Sequence, residues 1–363
     1  MFRRLLLLNG LSILGVVLFH ASGWGFVAMF GWAERYASFV PPNYAPTNTL
    51  SYAALRVMEQ AAVFSIPAFL FVSGVFIAFA AGRQGKTISW HVVRARIRSL
   101  IIPYLLWSAL LLSLDAAQGH VLSPLNYLLA LLTGQANPAY YYVPLIIQFY
   151  ALSPYLVPLA RKHARALLVV TAIIQLTVQL LYYPDFTNLE LPLVLVPKWL
   201  FVTRVFWFSA GIVAGFNLKF LESRLPRWRW PLLVGALLLL VIGVVEWQAI
   251  TNAAGGWVDH RETFVDTLYS LVVILTVLAF FQHKHRFADA LDDLGAHSFG
   301  VYLVHSPVME YAIRIIYHVA PLFLAYQVIL QPLLILLGLG VPLGLMAVTN
   351  RTSVRRFYKL GFG

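Results

Sequence analysis

The residues best suited to chemistry lie inside hydrophobic segments. The first of these, 5–26, reads LLLLNGLSILGVVLFHASGWGF and carries His20. At a helical rise of about 1.5 Å per residue His20 stands roughly 22 Å from Leu5, inside a hydrocarbon core about 30 Å thick. On a helical wheel Asn9 falls within about 20° of it, three turns away, with Ser12 and Gly23 on the same side. This polar, small-residue stripe faces the protein interior. Two roles suit the histidine: a neutral ring hydrogen-bonded between helices, or a general base or proton relay.

A second hydrophobic segment opens with Arg56 and Glu59, three apart and therefore neighbours on a helix, where an ion pair is the plain expectation. Pro67 predicts a kink, and Ser73-Gly74 allows another backbone to come close. The segment LGAHSFGVYLVHSPVMEYAIRI sets Ser298, Tyr302 and His305 on one face, and spaces Glu310 and Arg314 as an i,i+4 pair. Tyr142 and Gln148 lie in another segment, and Arg204 enters the next beside Trp207. Aromatic faces with scattered hydrogen-bonding groups suit a sugar, and also any lipid interface. Glu246, Asp259, His260, Arg261, Glu262 and Asp266 gather between two further segments and are expected to pair among themselves. No metal-ligand spacing is present, and the absence of cysteine removes thiolate chemistry and disulfides together.

The elements that must position these groups follow from composition. The 363 residues are 60% hydrophobic and 11% charged, with a mean hydropathy of +0.78, which excludes an ordinary soluble domain. The expectation is an all-α, polytopic membrane protein forming one domain over 1–363. Ten spans are read at 5–28, 53–82, 98–117, 139–160, 165–183, 198–217, 231–250, 263–282, 297–318 and 322–348, with 121–132 apolar but too short to cross. Arg3, Arg4, 83–98, 161–165, 219–229, Lys284, Arg286 and 351–359 place their cations on one side, against only Arg35, Lys198 and Arg261 opposite. The positive-inside rule then puts both termini in the cytoplasm, so the net charge of +12 reflects topology and not nucleic-acid binding. Arg94, Arg96 and Arg98 suit a polyphosphorylated ligand at that surface, and equally lipid headgroups.

Four stretches together resemble the acyltransferase-3 family of bacterial integral membrane enzymes: LSILGVVLFHA around His20, PAFLFVSGVFIAF after Glu59, RARIRSLIIPYLLW, and SFGVYLVH around Tyr302 and His305. The resemblance covers essentially the whole chain. It implies transfer of an acyl group, often acetyl, from acyl-coenzyme A to a sugar hydroxyl of a surface or lipid-linked glycan, in the bacterial cytoplasmic membrane, with no tightly bound cofactor. His20 corresponds to the family's first-helix histidine and is the expected general base, with Glu59 as its orienting carboxylate. Arg94, Arg96 and Arg98 correspond to the arginine-rich stretch expected to contact the coenzyme. The family's arginine eleven residues before the histidine is replaced here by Asn9, leaving Arg3 or Arg4 as substitutes or a different donor arrangement. Asn9, Arg56, Tyr142, Gln148, Arg204, Tyr302 and His305 are the expected substrate contacts. His20 reads as nearer the outer half, so a donor bound inside must reach across the helices or relay its acyl group. The alternative is a proton-coupled transporter of a sugar-lipid or small anion, using His20, Glu59 and Arg204.

Overall fold

In the computed structural model, residues 2–40, 49–82, 87–181, 183, 196–254, 260–280 and 288–363 are described. Arg83, Lys86, Asp185, Glu190, Asp259, Lys284 and Arg286 lie outside them. Among the described residues the chain is helical, with no strand. The helices include α1 (Phe2–Phe26), α2 (Leu50–Ala62), α3 (Ser65–Ala81), α4 (Trp90–Ala117), α5 (Pro124–Thr133), α6 (Tyr142–Lys162), α7 (Ala164–Leu180), α8 (Val205–Phe216), α9 (Arg229–Ala254), α10 (Phe264–Phe280), α11 (Ala288–Ala296), α12 (Ser298–Val319), α13 (Gln327–Arg351) and α14 (Tyr358–Phe362).

Six segments among the described residues are long and apolar enough to cross a bilayer: Arg3–Gly31, Leu50–Ala81, Trp90–Ala117, Tyr142–Lys162, Leu218–Ala253 and Gln327–Arg351. The other four expected spans differ for physical reasons. Helices α7 and α10 have 17 residues each, and α8 has 12, because Arg204 sits at its N-cap behind the turn Phe201–Thr203. Helix α12 has 22 residues but carries His305, Glu310, Arg314 and His318. The helix of the third span, α4, starts at Trp90, capped by the Ser89 side chain, so Arg94, Arg96 and Arg98 ride on its first turns and do not precede it.

The second span is interrupted. Pro67 has no N–H to offer the Val63 carbonyl, and the chain leaves the α-helix at Val63 and Phe64, with Ser65 Oγ donating to Ala62 O at 2.6 Å. Beyond the break α3 lies tightly against α8. A Cβ on Gly74 would stand 2.3 Å from Phe208 O, and one on Gly211 2.0 Å from Phe71 O. Without water to drive association, such close approach supplies the packing between apolar helices.

Helix α1 is the axis. It contacts α2, α3, α10, α11, α12 and α13. At one end Arg3 pairs with Asp289 and Asp292 of α11. Helix α5 doubles back along α4, with Tyr104 Oη donating to Leu131 O at 2.6 Å. The non-helical stretch that follows is pinned to α12 reciprocally: Tyr140 Oη donates to Leu303 O at 2.6 Å, and Tyr302 Oη to Ala139 O.

Gly74→Val and Gly211→Val should each lower the melting temperature of the detergent-solubilised protein by several degrees, an overpacking cost of about 1–3 kcal/mol. Gly344→Ala, whose Cβ would meet nothing within 4 Å, should leave it unchanged.

Candidate active site

Two histidines from different helices meet inside the bundle. The rings of His20 on α1 and His305 on α12 lie 5.1 Å apart between centroids, inclined at 55°. His305 is fully buried, and its Nδ1 stands 2.7 Å from Tyr302 O and 3.2 Å from Val301 O. Carbonyl oxygens only accept, so Nδ1 carries the proton and Nε2 keeps a lone pair. That Nε2 is buried with no hydrogen-bond partner among the described residues. The Tyr302 ring lies 5.8 Å from His305 and 5.4 Å from Tyr142, which in turn meets Phe69 at 6.0 Å. His20, Tyr142, Tyr302 and His305, expected from sequence, are thus neighbours.

The pair lies about 10 Å along α12 from Ser298. Ser298 marks the arginine-rich end, where Phe299 meets the chain terminus beside Ser99.

Toward the opposite end is a second polar cluster. Arg56 Nη1 bonds Glu59 Oε2 at 2.7 Å, its Nε donates to Tyr52 Oη at 3.0 Å, and its guanidinium lies 4.5 Å from the Phe26 centroid. Glu59 faces His260 and not His20: His260 Nδ1 is 4.0 Å from Glu59 Oε1, and its Nε2 is 3.5 Å from Asp266 Oδ2. Asp266 also accepts from Gln60 at 2.7 Å and from the Thr263 N–H at 3.0 Å. Trp247 covers His260 at 4.6 Å, and Phe19 separates the two histidine sites, 5.3 Å from His260 and 5.8 Å from His20. Burial opposes a charge on His260, but Asp266 and Glu59 outweigh it and raise its pKa.

The remaining expected contacts lie apart from the histidine pair, each in its own surroundings. Gln148 is occupied by backbone: its Nε2 donates to Trp199 O at 2.8 Å and Pro144 O at 3.1 Å, and its Oε1 accepts from Phe201 N at 3.2 Å. Arg204 reaches Glu262 at 3.3 Å and Lys198 O at 3.3 Å. Glu262 also accepts from Trp207 Nε1 at 2.9 Å, and burial raises its carboxyl above the usual range despite Arg204. Asn9 stands three turns from His20 with its Oδ1 buried and without a hydrogen-bond partner among the described residues, while Arg3 is engaged at the helix end. Arg96 is half-buried, donating to Phe76 O at 3.4 Å and lying 5.9 Å from the Tyr150 centroid; Arg94 and Arg98 are exposed.

Beside that arginine-rich turn are two adjoining cavities of about 340 and 290 Å³. They share His297, Met346 and Tyr358; the first also touches Asn350 and Arg351, the second Ser99 and Phe299. From sequence, 351–359 carries a topology signal only. A partial signal for the cavities lies in the cations that flank both helix ends there.

The described residues thus form a helical membrane protein in which a buried and a partly buried histidine meet, with two cavities beside an arginine-rich helix turn. The chain belongs to the acyltransferase domain family, whose pattern it matches over residues 4–351. It is therefore an acyltransferase and a multi-pass membrane protein. No curated protein and no solved structure matches it.

Because His260 holds its proton more tightly when folded, its contribution to stability is complete below about pH 6.5, its unfolded value, and fades as pH rises through the higher folded value. The melting temperature of wild type should fall by a few degrees across that rise, and the fall should flatten in His260→Gln.

Proposed function

We propose that this protein moves an acyl group, acetyl in the first instance, from acyl-coenzyme A to a hydroxyl of a surface or lipid-linked glycan in the bacterial cytoplasmic membrane. The observation that supports this reading is the His20 and His305 pair, with the His305 Nε2 lone pair buried and unpartnered. A buried polar atom without a partner is costly, and a substrate hydroxyl supplies what is missing.

In the transfer, His20 accepts the hydroxyl proton as the oxygen attacks the thioester carbonyl. Collapse of the tetrahedral adduct breaks the C–S bond, and the proton returns from the imidazolium to the departing thiolate. A neutral imidazole suits both steps. His305, held by the backbone carbonyls, accepts from the hydroxyl or from a His20 N–H and so orients the reacting oxygen. The coenzyme's phosphates are met by Arg94, Arg96 and Arg98, beside the cavities lined by Ser99 and Arg351. From there the thioester need travel only about 10 Å along α12 to His305, less than the extended pantetheine arm spans. The acyl-coenzyme is a substrate and not a resident cofactor, and lipids surround the bundle.

His20→Ala should reduce transfer by about 10²–10⁴-fold with an unchanged melting temperature, measured as acceptor-dependent thiol release by the purified protein. Full turnover in that variant removes His20 as the base. Arg96→Ala should raise the KM for acyl-coenzyme A with little change in kcat; equal loss at saturating donor would remove it from the donor site.

A further inference from the structure

Helix α1 changes character at His20. On the face that carries it, Ser12, Ile13, Val16 and Val17 are buried, whereas His20, Gly23 and Trp24 are partly accessible. Gly23 and Trp24 lie three and four residues beyond His20, about one turn farther from the arginine-rich end. A Cβ added to Gly23 would meet no atom within 4 Å, although the glycines at 10, 15 and 25 on the same helix are tightly packed. The space beside Gly23 is therefore open, and it begins at the catalytic histidine.

Its wall is aromatic. The Trp24 ring lies 5.8 Å from Trp32, and Trp32 lies 4.8 Å from Tyr317. Arg35 covers Tyr317 with its guanidinium 4.7 Å from the ring centroid, fixed by hydrogen bonds to the Tyr317 carbonyl at 3.1 and 3.3 Å. Tyr317 is twelve residues beyond His305, so these rings climb about 18 Å along α12 toward the face opposite the arginine-rich end. Flat aromatic faces with a flanking cationic donor, Arg35, suit the apolar CH face and equatorial hydroxyls of a pyranose.

We propose that the opening beside Gly23 is an acceptor vestibule, in which a sugar ring stacks on Trp24 with one hydroxyl directed at His20, while Trp32 and Tyr317 guide the rest of the glycan outward. This rests on the acyltransferase reading for its reaction, but its geometry stands by itself. Trp24 is a positioning and specificity residue. It holds the ring and leaves the proton transfer to His20.

The natural absence of cysteine makes the test direct. Gly23→Cys in membrane vesicles should react with a membrane-impermeant maleimide supplied from the face opposite Arg3. Ser38→Cys, exposed near that face, is the positive control, and Gly340→Cys, equally open but on the lipid-exposed surface of α13, should stay unlabelled. Methyl glucoside, methyl galactoside and methyl N-acetylglucosaminide then serve as probes. At least one should slow labelling of Gly23→Cys about threefold or more, and the slowing should vanish in Gly23→Cys combined with Trp24→Ala. No labelling at position 23, with Ser38→Cys labelled, overturns the vestibule. Labelling that no hexoside slows overturns its carbohydrate character, and protection that survives Trp24→Ala overturns the stacking role. If protection depends on Trp24 but wild type cleaves no acyl-coenzyme A, the sugar site stands and the acyl-transfer reading fails.

Discussion

The interior of a bilayer offers no water, so each polar group there must find a partner in the protein or serve a ligand. Most of the buried polar side chains of this protein obey the first half of that rule. Gln148 closes onto three backbone groups, Arg56 onto Glu59 and Tyr52, and Glu262 onto Arg204 and Trp207. His305 obeys it at one nitrogen only. The proposed reaction centre is distinguished by what its unpartnered nitrogen faces, a second histidine ring 5.1 Å away between centroids.

The scaffold keeps that deficit in place. Helix α1 touches six other helices, so His20 is fixed from several sides. Across from it, Tyr140 and Tyr302 bond reciprocally between α12 and the stretch before α6, which holds the turn of α12 that presents His305. The close contact of α3 with α8 supplies rigidity where hydrophobic association cannot, since lipid tails are as apolar as the helices. The two histidine sites, joined by Phe19, then have different tasks. His260 lies between two carboxylates and ties α2, α9 and α10 together, whereas His20 lies against the His305 ring.

Several site residues are legible from local spacing. Tyr302 and His305 share a helix face, and Arg56 with Glu59 and Glu310 with Arg314 pair at helical offsets, the latter at 2.7 Å. The partner of Glu59 is not legible in this way. His260 is about two hundred residues away, and pairing across that separation depends on how α2 and α10 dock. Gln148 reads as a deep, free amide in sequence because the backbone groups that occupy it belong to the distant turn near Trp199. The span at 198–217 reads as a full crossing because hydropathy averages over Arg204, whereas in the structure α8 begins only after Arg204, whose guanidinium reaches Glu262.

The sequence by itself determined the solvent this chain lives in, its helical class, the acyltransferase motifs and the helix faces on which His20 and His305 lie, because these depend on composition and on local periodicity. Tertiary structure alone decided that the two rings meet, that Glu59 serves His260, that α1 opens into space beyond Gly23, and that the cationic turn of α4 borders cavities formed by α12, α13 and α14. Such juxtapositions come from packing between segments far apart in the chain. Helical periodicity states which way a side chain points, but only docking states what it points at.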